Sequence, residues 1–424
     1  MKRLLTAFFL AGVLLQAVLL LRAWRAWDGL PLLRGNVIAN DIRQFDDLVR
    51  EFVKDPSCLP TWKAMSGGTD LPGCFLPGVL GLPVLATGDP RVPAVVVSFT
   101  HLLAGLLLVF VLRREAGDCF TAFYLAVFWL SPWRLFHSAF TWDPNLVILP
   151  AAVHLWCCAA GRREARPVPS LVLGATLVLA GQVHGSALFL FVLTALLLAR
   201  KELRVSWPLF AAGAAAGSLT LIPAALHLLR GGTLAFAPSH GFLGRGFVYV
   251  FPFLRTLLFW FRLGSLDFGR LHDTDSVSCA SAGLHGETGD VLRCALYRGA
   301  GFIAIASILL PAVATWQWMR RRAATTPKGG PWVRTYAVNA FLALLVAGGL
   351  SPVTIQAWHV LIALPAACLP VAGWLEERWP FRRRFVAWLV ALFLIARLPI
   401  AALLASDYPV FCRVAPDVAK AIQD

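Results

Sequence analysis

Charge is scarce in this chain of 424 residues: Asp, Glu, Lys and Arg together make up 14%, against roughly a quarter in soluble domains. A solvated or disordered polypeptide is excluded on that count alone. Acid is scarcest, with 23 Asp and Glu against 38 Lys and Arg. Nine cysteines are scattered without a CxxC pair, which removes a zinc ribbon or a thioredoxin-type motif. No Gly-rich phosphate loop, HExxH helix or GxSxG elbow occurs, so the familiar soluble nucleotide, zinc-protease and hydrolase sites are absent. The apolar stretches are continuous and do not alternate every second residue, which argues against a membrane β-barrel.

What the chain has is apolar length. Hydrophobic residues make up 58% and the mean hydropathy is +0.70. Eleven apolar windows stand out: Leu4 to Ala23, Val92 to Leu112, Cys119 to Leu135, Asn145 to Ala160, Ser170 to His184, Ala187 to Ala199, Trp207 to Leu229, Gly299 to Trp318, Tyr336 to Leu350, Ile355 to Leu375 and Phe385 to Ala405. A bilayer core of ~30 Å takes ~20 helical residues per crossing, so most are long enough to span, and the shortest suit tilted or re-entrant segments. The expected fold class is an all-α polytopic membrane protein with about eleven transmembrane helices, forming a single integral membrane domain over residues 1–424. The first window is followed by Arg22-Ala-Trp-Arg-Ala-Trp rather than by a small-x-small cleavage site, which favours an uncleaved anchor over a signal peptide.

The net charge of +15 does not point to nucleic acid, because the basic residues sit in short clusters between windows rather than along one stripe. These clusters are Arg113-Arg114; Arg162-Arg163 with Arg166; Arg200-Lys201 with Arg204; Arg320-Arg321-Arg322 with Lys328 and Arg334; and Arg378 with Arg382-Arg383-Arg384. They occupy every second connection, which by the positive-inside rule sets the N-terminus in the cytoplasm of a multi-pass inner (cell) membrane protein. Two long segments then fall outside, residues 24–91 and 230–298. Each carries two cysteines, Cys58 with Cys74 and Cys279 with Cys294, on the side where disulfides form. Pairing within each loop and four unpaired thiols are both open readings. Cys119, Cys157, Cys158 and Cys368 fall in spans and read as packing residues. The second loop contains an aromatic stretch, Phe247 to Phe268, in which Arg255 and Arg262 lie seven residues apart on one helical face. An amphipathic helix of this kind is expected in the headgroup plane, where it can hold a lipid phosphate; a further span is the alternative.

Four polar clusters lie at the outer edge, where ionisable groups beside an apolar bundle are costly unless they are used. Asn40-Asp41-Ile42-Arg43 with Asp46 and Asp47 offers a general base and an orienting partner, or an ordinary capped helix start. Ser131-Pro132-Trp133-Arg134 leads to His137 and Trp142-Asp143-Pro144-Asn145, where Asp143 is also a candidate helix cap. Gly181-Gln182-Val183-His184-Gly185-Ser186 is a polar insertion between two apolar runs. Gln356-Ala357-Trp358-His359 opens the tenth window with a histidine able to meet a phosphate.

Taken together, this arrangement resembles the GT-C superfamily of polytopic glycosyltransferases, the group containing protein O-mannosyltransferases and bacterial aminoarabinose transferases. The resemblance rests on the acid of the first outer loop, the Gly/Pro-rich stretch Ser66-Gly67-Gly68-Thr69-Asp70-Leu71-Pro72-Gly73, and Leu76-Pro77-Gly78 with Gly88-Asp89-Pro90. It extends to Ser131-Pro132, to Trp142-Asp143-Pro144 where Asp stands for the usual Asn, to Gln182 to His184, and to Trp358-His359 before Pro365, where the usual Tyr is missing. It implies an inverting transferase that moves a sugar from a polyprenyl-phosphate donor to a lipid, glycan or protein acceptor on the outer membrane face. Asp41 would be the catalytic base, or Asn40 would hold that place in a chain without catalysis. Arg43, Asp143, His184, Arg255, Arg262 and His359 would bind substrate. No cofactor is called for, and a divalent ion shared by loop Asp and His side chains is left open. The competing readings are a transporter or lipid flippase, for which an internal repeat around midplane sites would be expected, and a non-catalytic subunit of the same fold.

Overall fold

The computed structural model describes residues 1–26, 48–57, 62–64, 70–89, 91–233, 251–266, 299, 302–303, 305–320, 330–351 and 355–412. They form an all-α bundle with one small antiparallel pair of strands. Helix α1 spans Lys2–Ala26; strands β1 (Trp62–Ala64) and β2 (Asp70–Pro72) pair with Trp62 opposite Pro72. Next come α2 (Phe75–Thr87), α3 (Val92–Tyr124), a π-helix (Leu125–Trp129), α4 (Pro132–Phe136), α5 (Asp143–Leu146), α6 (Ile148–Gly161), α7 (Pro167–Val183), α8 (Leu188–Ala199), α9 (Trp207–Ser218) and α10 (Ile222–Leu229). The remainder comprises α11 (Phe251–Leu263), α12 (Leu309–Arg320), α13 (Pro331–Gly349), a 3₁₀ segment (Ala357–Ala363), α14 (Leu364–Ala367), α15 (Leu369–Arg378) and α16 (Arg383–Cys412).

Six stretches among the described residues are long and apolar enough to cross a membrane: Lys2–Trp24, Val92–Trp129, Asp143–Gly161, Trp207–Leu229, Pro331–Gly349 and Ala357–Arg378. Phe75–Thr87, Pro167–Val183 and Gly185–Ala199 are shorter apolar helices. The chain is thus an all-α polytopic membrane protein. Two of the expected windows run together, because α3 continues through the Arg113-Arg114 turn and breaks only at Gly117 (φ 87°, ψ 174°). That conformation is open to glycine and strained for any other residue. The window at Ile355 to Leu375 begins in 3₁₀ geometry before it becomes α-helical. Helix α2, which packs on α3 and α7, lies in a stretch the sequence reading treated as loop.

Close helix packing rests on small residues. Helices α7 and α9 approach backbone to backbone: a Cβ on Gly213 would lie 1.8 Å from the Leu171 carbonyl oxygen, and one on Gly174 would lie 2.1 Å from that of Phe210. Without a hydrophobic driving force between helices in lipid, such intimate van der Waals contact is what holds them together. A polar clasp joins α6, α8 and α13. The Thr194 hydroxyl donates to the Leu190 carbonyl, so it accepts from His154 Nε2, and His154 Nδ1 in turn accepts from the Tyr336 hydroxyl, both at 2.9 Å. All three side chains are buried, and each is satisfied as an apolar interior demands.

The basic connections gather at one end of the bundle. Arg113 pairs with Asp118 at 2.7 Å and Arg162 with Glu115. The Arg204 N–H donates to Gly161 O, Gly330 lies against the Glu115 carbonyl, Arg334 Nε donates to Trp318 O, and Arg378 donates to Gln317 at 3.0 Å. Stacking of Phe120 on Trp318 and the edge contact of Phe123 with Trp379 close the ring. Among the described residues, each of the five basic connections thus has a residue at this end.

Candidate functional site

Opposite the basic end, three of the polar clusters converge. Helix α7 ends at Val183 and His184 is extended (φ −158°, ψ 142°) before a 3₁₀ turn into α8. This interruption holds His184 as a cap: the Ser186 N–H donates to its Nδ1 at 3.0 Å, and the Ser186 hydroxyl lies 2.8 Å from the same atom. A nitrogen that accepts an N–H carries no proton, so the ring hydrogen of the neutral side chain sits on Nε2. That atom faces Asp143 Oδ2 at 4.0 Å, with both side chains nearly excluded from solvent. The separation is longer than a hydrogen bond and short for a charge and a dipole in a dry setting.

His359 repeats the device. Gln356 caps the 3₁₀ segment, its side chain accepting from the His359 N–H while its own N–H donates to His359 Nδ1 at 2.9 Å. The two imidazoles stand 5.6 Å apart between ring centres. Both turn an Nδ1 toward backbone and leave Nε2 as the donor. Trp142 and Trp358 pack at 5.5 Å, which closes the wall between the turn carrying Asp143 and the 3₁₀ segment. Arg255 Nη2 donates to Gln356 Oε1 at 2.7 Å, so the guanidinium joins the cluster through Gln356.

Trp142 occupies the N-cap position of α5 and Asp143 is its first helical residue, where a carboxylate favours the positive end of the helix. The turn beneath it hangs on Asn145. Its carbonyl accepts from His101 Nε2 at 2.7 Å, its Oδ1 accepts from His137 Nδ1 at 2.6 Å and its Nδ2 donates to Phe140 O. His137 is itself stacked on Trp133 and Trp142.

Helix α11 covers the stretch for which an amphipathic helix in the headgroup plane or a further span was expected. It packs lengthwise along α13: Phe253 lies against Gly349, Thr256 against Gly348, and Trp260 and Phe261 against Phe341. Trp260 and Leu263 are fully buried while Leu254 and Leu258 are exposed. The amphipathic pattern is therefore real, but its apolar face meets protein. Arg262, roughly 10 Å further along the axis than Arg255, lies 5.1 Å from the Phe259 ring centre, and Arg255 lies 5.8 Å from the same ring. The structure thus brings together Asp143, His184 and His359, with Arg255 joined to them through Gln356 and Arg262 flanking the same Phe259 ring as Arg255. Asp41 and Arg43 lie outside the described residues, as do Cys58, Cys279 and Cys294. Among the described residues no group of three or more His, Cys, Asp and Glu side chains is placed to hold a metal ion.

Gln182, quoted in the sequence only as part of a pattern, has a clear structural task. Its Oε1 accepts from Thr220 at 2.8 Å and its Nε2 donates to Gly217 O. Gly73 (φ +131°) lies so near that a Cβ would be 2.2 Å from Gln182 Oε1, and the Cys74 N–H donates to Thr220 O. The first loop is clamped here, two residues from His184. Nothing in the local sequence announced the Thr220 and Gly73 partners, which come from separate parts of the chain.

The architecture and this polar end define a class: a polytopic helical membrane fold with its conspicuous polar residues at the end opposite the basic turns. Two solved structures share the fold. ArnT from Cupriavidus metallidurans in the apo state matches with a TM-score of 0.52 at 14% identity, covering 94% of this chain and 76% of that one. The same protein bound to undecaprenyl phosphate matches at 0.50, with the same identity and coverage. At this identity the likeness is one of fold. No protein-family profile and no curated protein matches the chain.

Proposed function

We propose that the protein is an inverting glycosyltransferase that takes a sugar from a polyprenyl-phosphate donor and passes it to a lipid, glycan or protein acceptor at the extracytoplasmic face of an inner (cell) membrane. The observation carrying this reading is the convergence of Asp143, His184, His359 and the Gln356–Arg255 pair at one end of an ArnT-like fold. ArnT itself has been solved with undecaprenyl phosphate, which supports a lipid phosphate as the donor's leaving group. In the proposed chemistry Asp41 takes the proton of the acceptor hydroxyl. The oxygen attacks the anomeric carbon, the bond from that carbon to the phosphate oxygen breaks, and free polyprenyl phosphate departs. Charge builds on the leaving oxygen in that step, and cationic or N–H donors placed there lower the barrier. Arg255, His359 and His184 are the donors assigned to it, with Arg43 and Arg262 as further substrate contacts and Asp143 holding sugar hydroxyls.

Residues 24–91 and 230–298 are the proposed outer segments, and the N-terminus is proposed to be cytoplasmic. The test is to incubate the purified protein with a panel of polyprenyl-phosphate sugars and follow free polyprenyl phosphate. Wild type is expected to release it, and Asp41→Asn to lower the rate by about a thousandfold, in the range reported for loss of a general base. Equal release from both would remove Asp41 from the mechanism; no release from wild type with any donor would favour the transporter or non-catalytic reading.

A further inference from the structure

The π-helix at Leu125–Trp129 stands directly before the turn that carries Asp143. In a π-helix the carbonyls shift to partners five residues on, and here the partners run out. The Leu130 N–H returns to Leu125 O and the Ser131 N–H to Phe128 O. Pro132 has no N–H to give. The carbonyls of Ala126 and Val127 are thereby left without a following backbone donor, inside an apolar span where such an orphan is costly.

Two arginines take up the slack from opposite directions. Arg397 of α16, buried with its guanidinium 4.4 Å from the Phe393 ring centre, donates to Ala126 O and, at 2.8 Å, to Val127 O. Arg134, also buried, donates through Nε to Trp129 O at 2.7 Å, stacks on the Trp129 ring at 3.7 Å and reaches back to Gln16 and Gly12 O on α1. An arginine inside an apolar window is expensive and is retained where its donors have a task. Here Arg397 serves the carbonyls of Ala126 and Val127, whose partners five residues on are Ser131, with its N–H turned to Phe128 O, and Pro132, with none; Arg134 holds the next turn through Trp129 O. Beyond the π-helix the chain runs straight into α4, which α16 also contacts, and then to the Asn145 hub and Asp143.

We infer that Arg397 is a positioning residue for the site: by holding the Ala126 and Val127 carbonyls it fixes the π-helix register, and through it the place of the turn 131–145 that sets Asp143 before His184. The catalytic part of this inference rests on the function proposed above; the positional part does not.

The experiment compares wild type, Arg397→Met and Arg397→Lys in detergent or nanodiscs, by amide hydrogen exchange and by donor turnover. Arg397→Met is expected to speed exchange selectively in residues 131–145 while residues 167–218 keep their protection. Arg397→Lys, with a charge and several donors on one nitrogen, is expected to fall between. Turnover should show kcat lowered roughly ten- to hundredfold in Arg397→Met, as a small displacement of a reacting group produces, with KM changed less than twofold. Unchanged exchange in 131–145, or a loss of protection spread evenly over both segments, would overturn the inference. Should Arg397→Met fail to fold, the same segmental contrast in Arg397→Lys decides it. A wild type that turns over no donor defeats the proposed function, and the exchange pattern still judges Arg397.

Discussion

The two ends of the bundle spend their polar residues differently. At the basic end, Arg113–Asp118 and Arg166–Glu164 are ion pairs open to solvent on at least one side, and only Glu115, beside Arg162, is close to fully covered. These groups sit in turns, face one another, and read as topology and stability. At the other end Asp143, His184, His137, His101 and Asn145 are all at or below 5% exposure, while His359, Gln356 and Arg255 are half-buried. Their hydrogen bonds go largely to backbone, and His184 and His359 are each fixed by a main-chain N–H with the other nitrogen directed away. Buried, oriented and mutually close polar groups are costly for a fold and useful for chemistry, whereas the basic end has the inexpensive kind.

This contrast can be broken by substitution. Between the two ends as described, the largest effect is expected at His184. In His184→Asn the shorter side chain can still accept from the Ser186 N–H but loses the Nε2 donor; kcat/KM for donor release should fall about a hundredfold, ~2.7 kcal/mol of transition-state stabilisation, with the melting temperature nearly unmoved. A variant that melts early yet turns over normally when folded would place His184 among the structural caps. At the basic end the expectation reverses. Glu115→Gln removes the charge beside Arg162 and should cost about 1–3 kcal/mol in stability, read by thermal unfolding in detergent, with turnover per folded molecule unchanged. Arg113→Ala should cost only about 0.2–1 kcal/mol, the usual worth of an exposed pair.

The smallest effect belongs to Asp89, in the connection between α2 and α3. Hydrogen bonds from the Arg91 side chain, only partly offset by burial, hold its carboxyl below the usual range. A depressed carboxyl pKa contributes stability above the unfolded value of ~3.9, and that contribution is lost as pH falls through the lower folded value. For a pair this exposed it is below about 0.5 kcal/mol. Unfolding midpoints of wild type and Asp89→Asn should converge as pH drops below 4; a gap that widens on acidification would contradict the assignment.

Much of the fold was legible because lipid imposes one requirement, continuous apolar helix. The windows Ser170 to His184 and Trp207 to Leu229 coincide within a few residues with Pro167–Val183 and with α9 and α10 taken together. Breaks were less legible. Gly117 divides a helix that the Arg113-Arg114 pair was expected to end, because Asp118 and Arg113 pair across the bend and let the helical path continue. The π-helix was invisible, since its register depends on Arg397 from 270 residues further along the chain. Its one sign in the sequence is a distant one, an arginine alone in the last apolar window. Of the site, the Gln182 to Ser186 insertion and the Gln356 to His359 start were found as polar residues out of place, and the structure brings them together. Their tautomers were not readable, because Ser186 and Gln356 act through backbone N–H groups that a side-chain pattern does not encode.

Sidedness tests the central claim most directly, since the chemistry needs the His184 end to face away from the cytosol. A single cysteine placed at Leu229, which is 82% exposed near that end, and another at Arg163 in the basic end can be probed in intact cells with a membrane-impermeant maleimide, with wild type as background. Labelling of Leu229→Cys alone is the predicted result. Labelling of Arg163→Cys with Leu229→Cys protected until the cells are permeabilised would contradict the account.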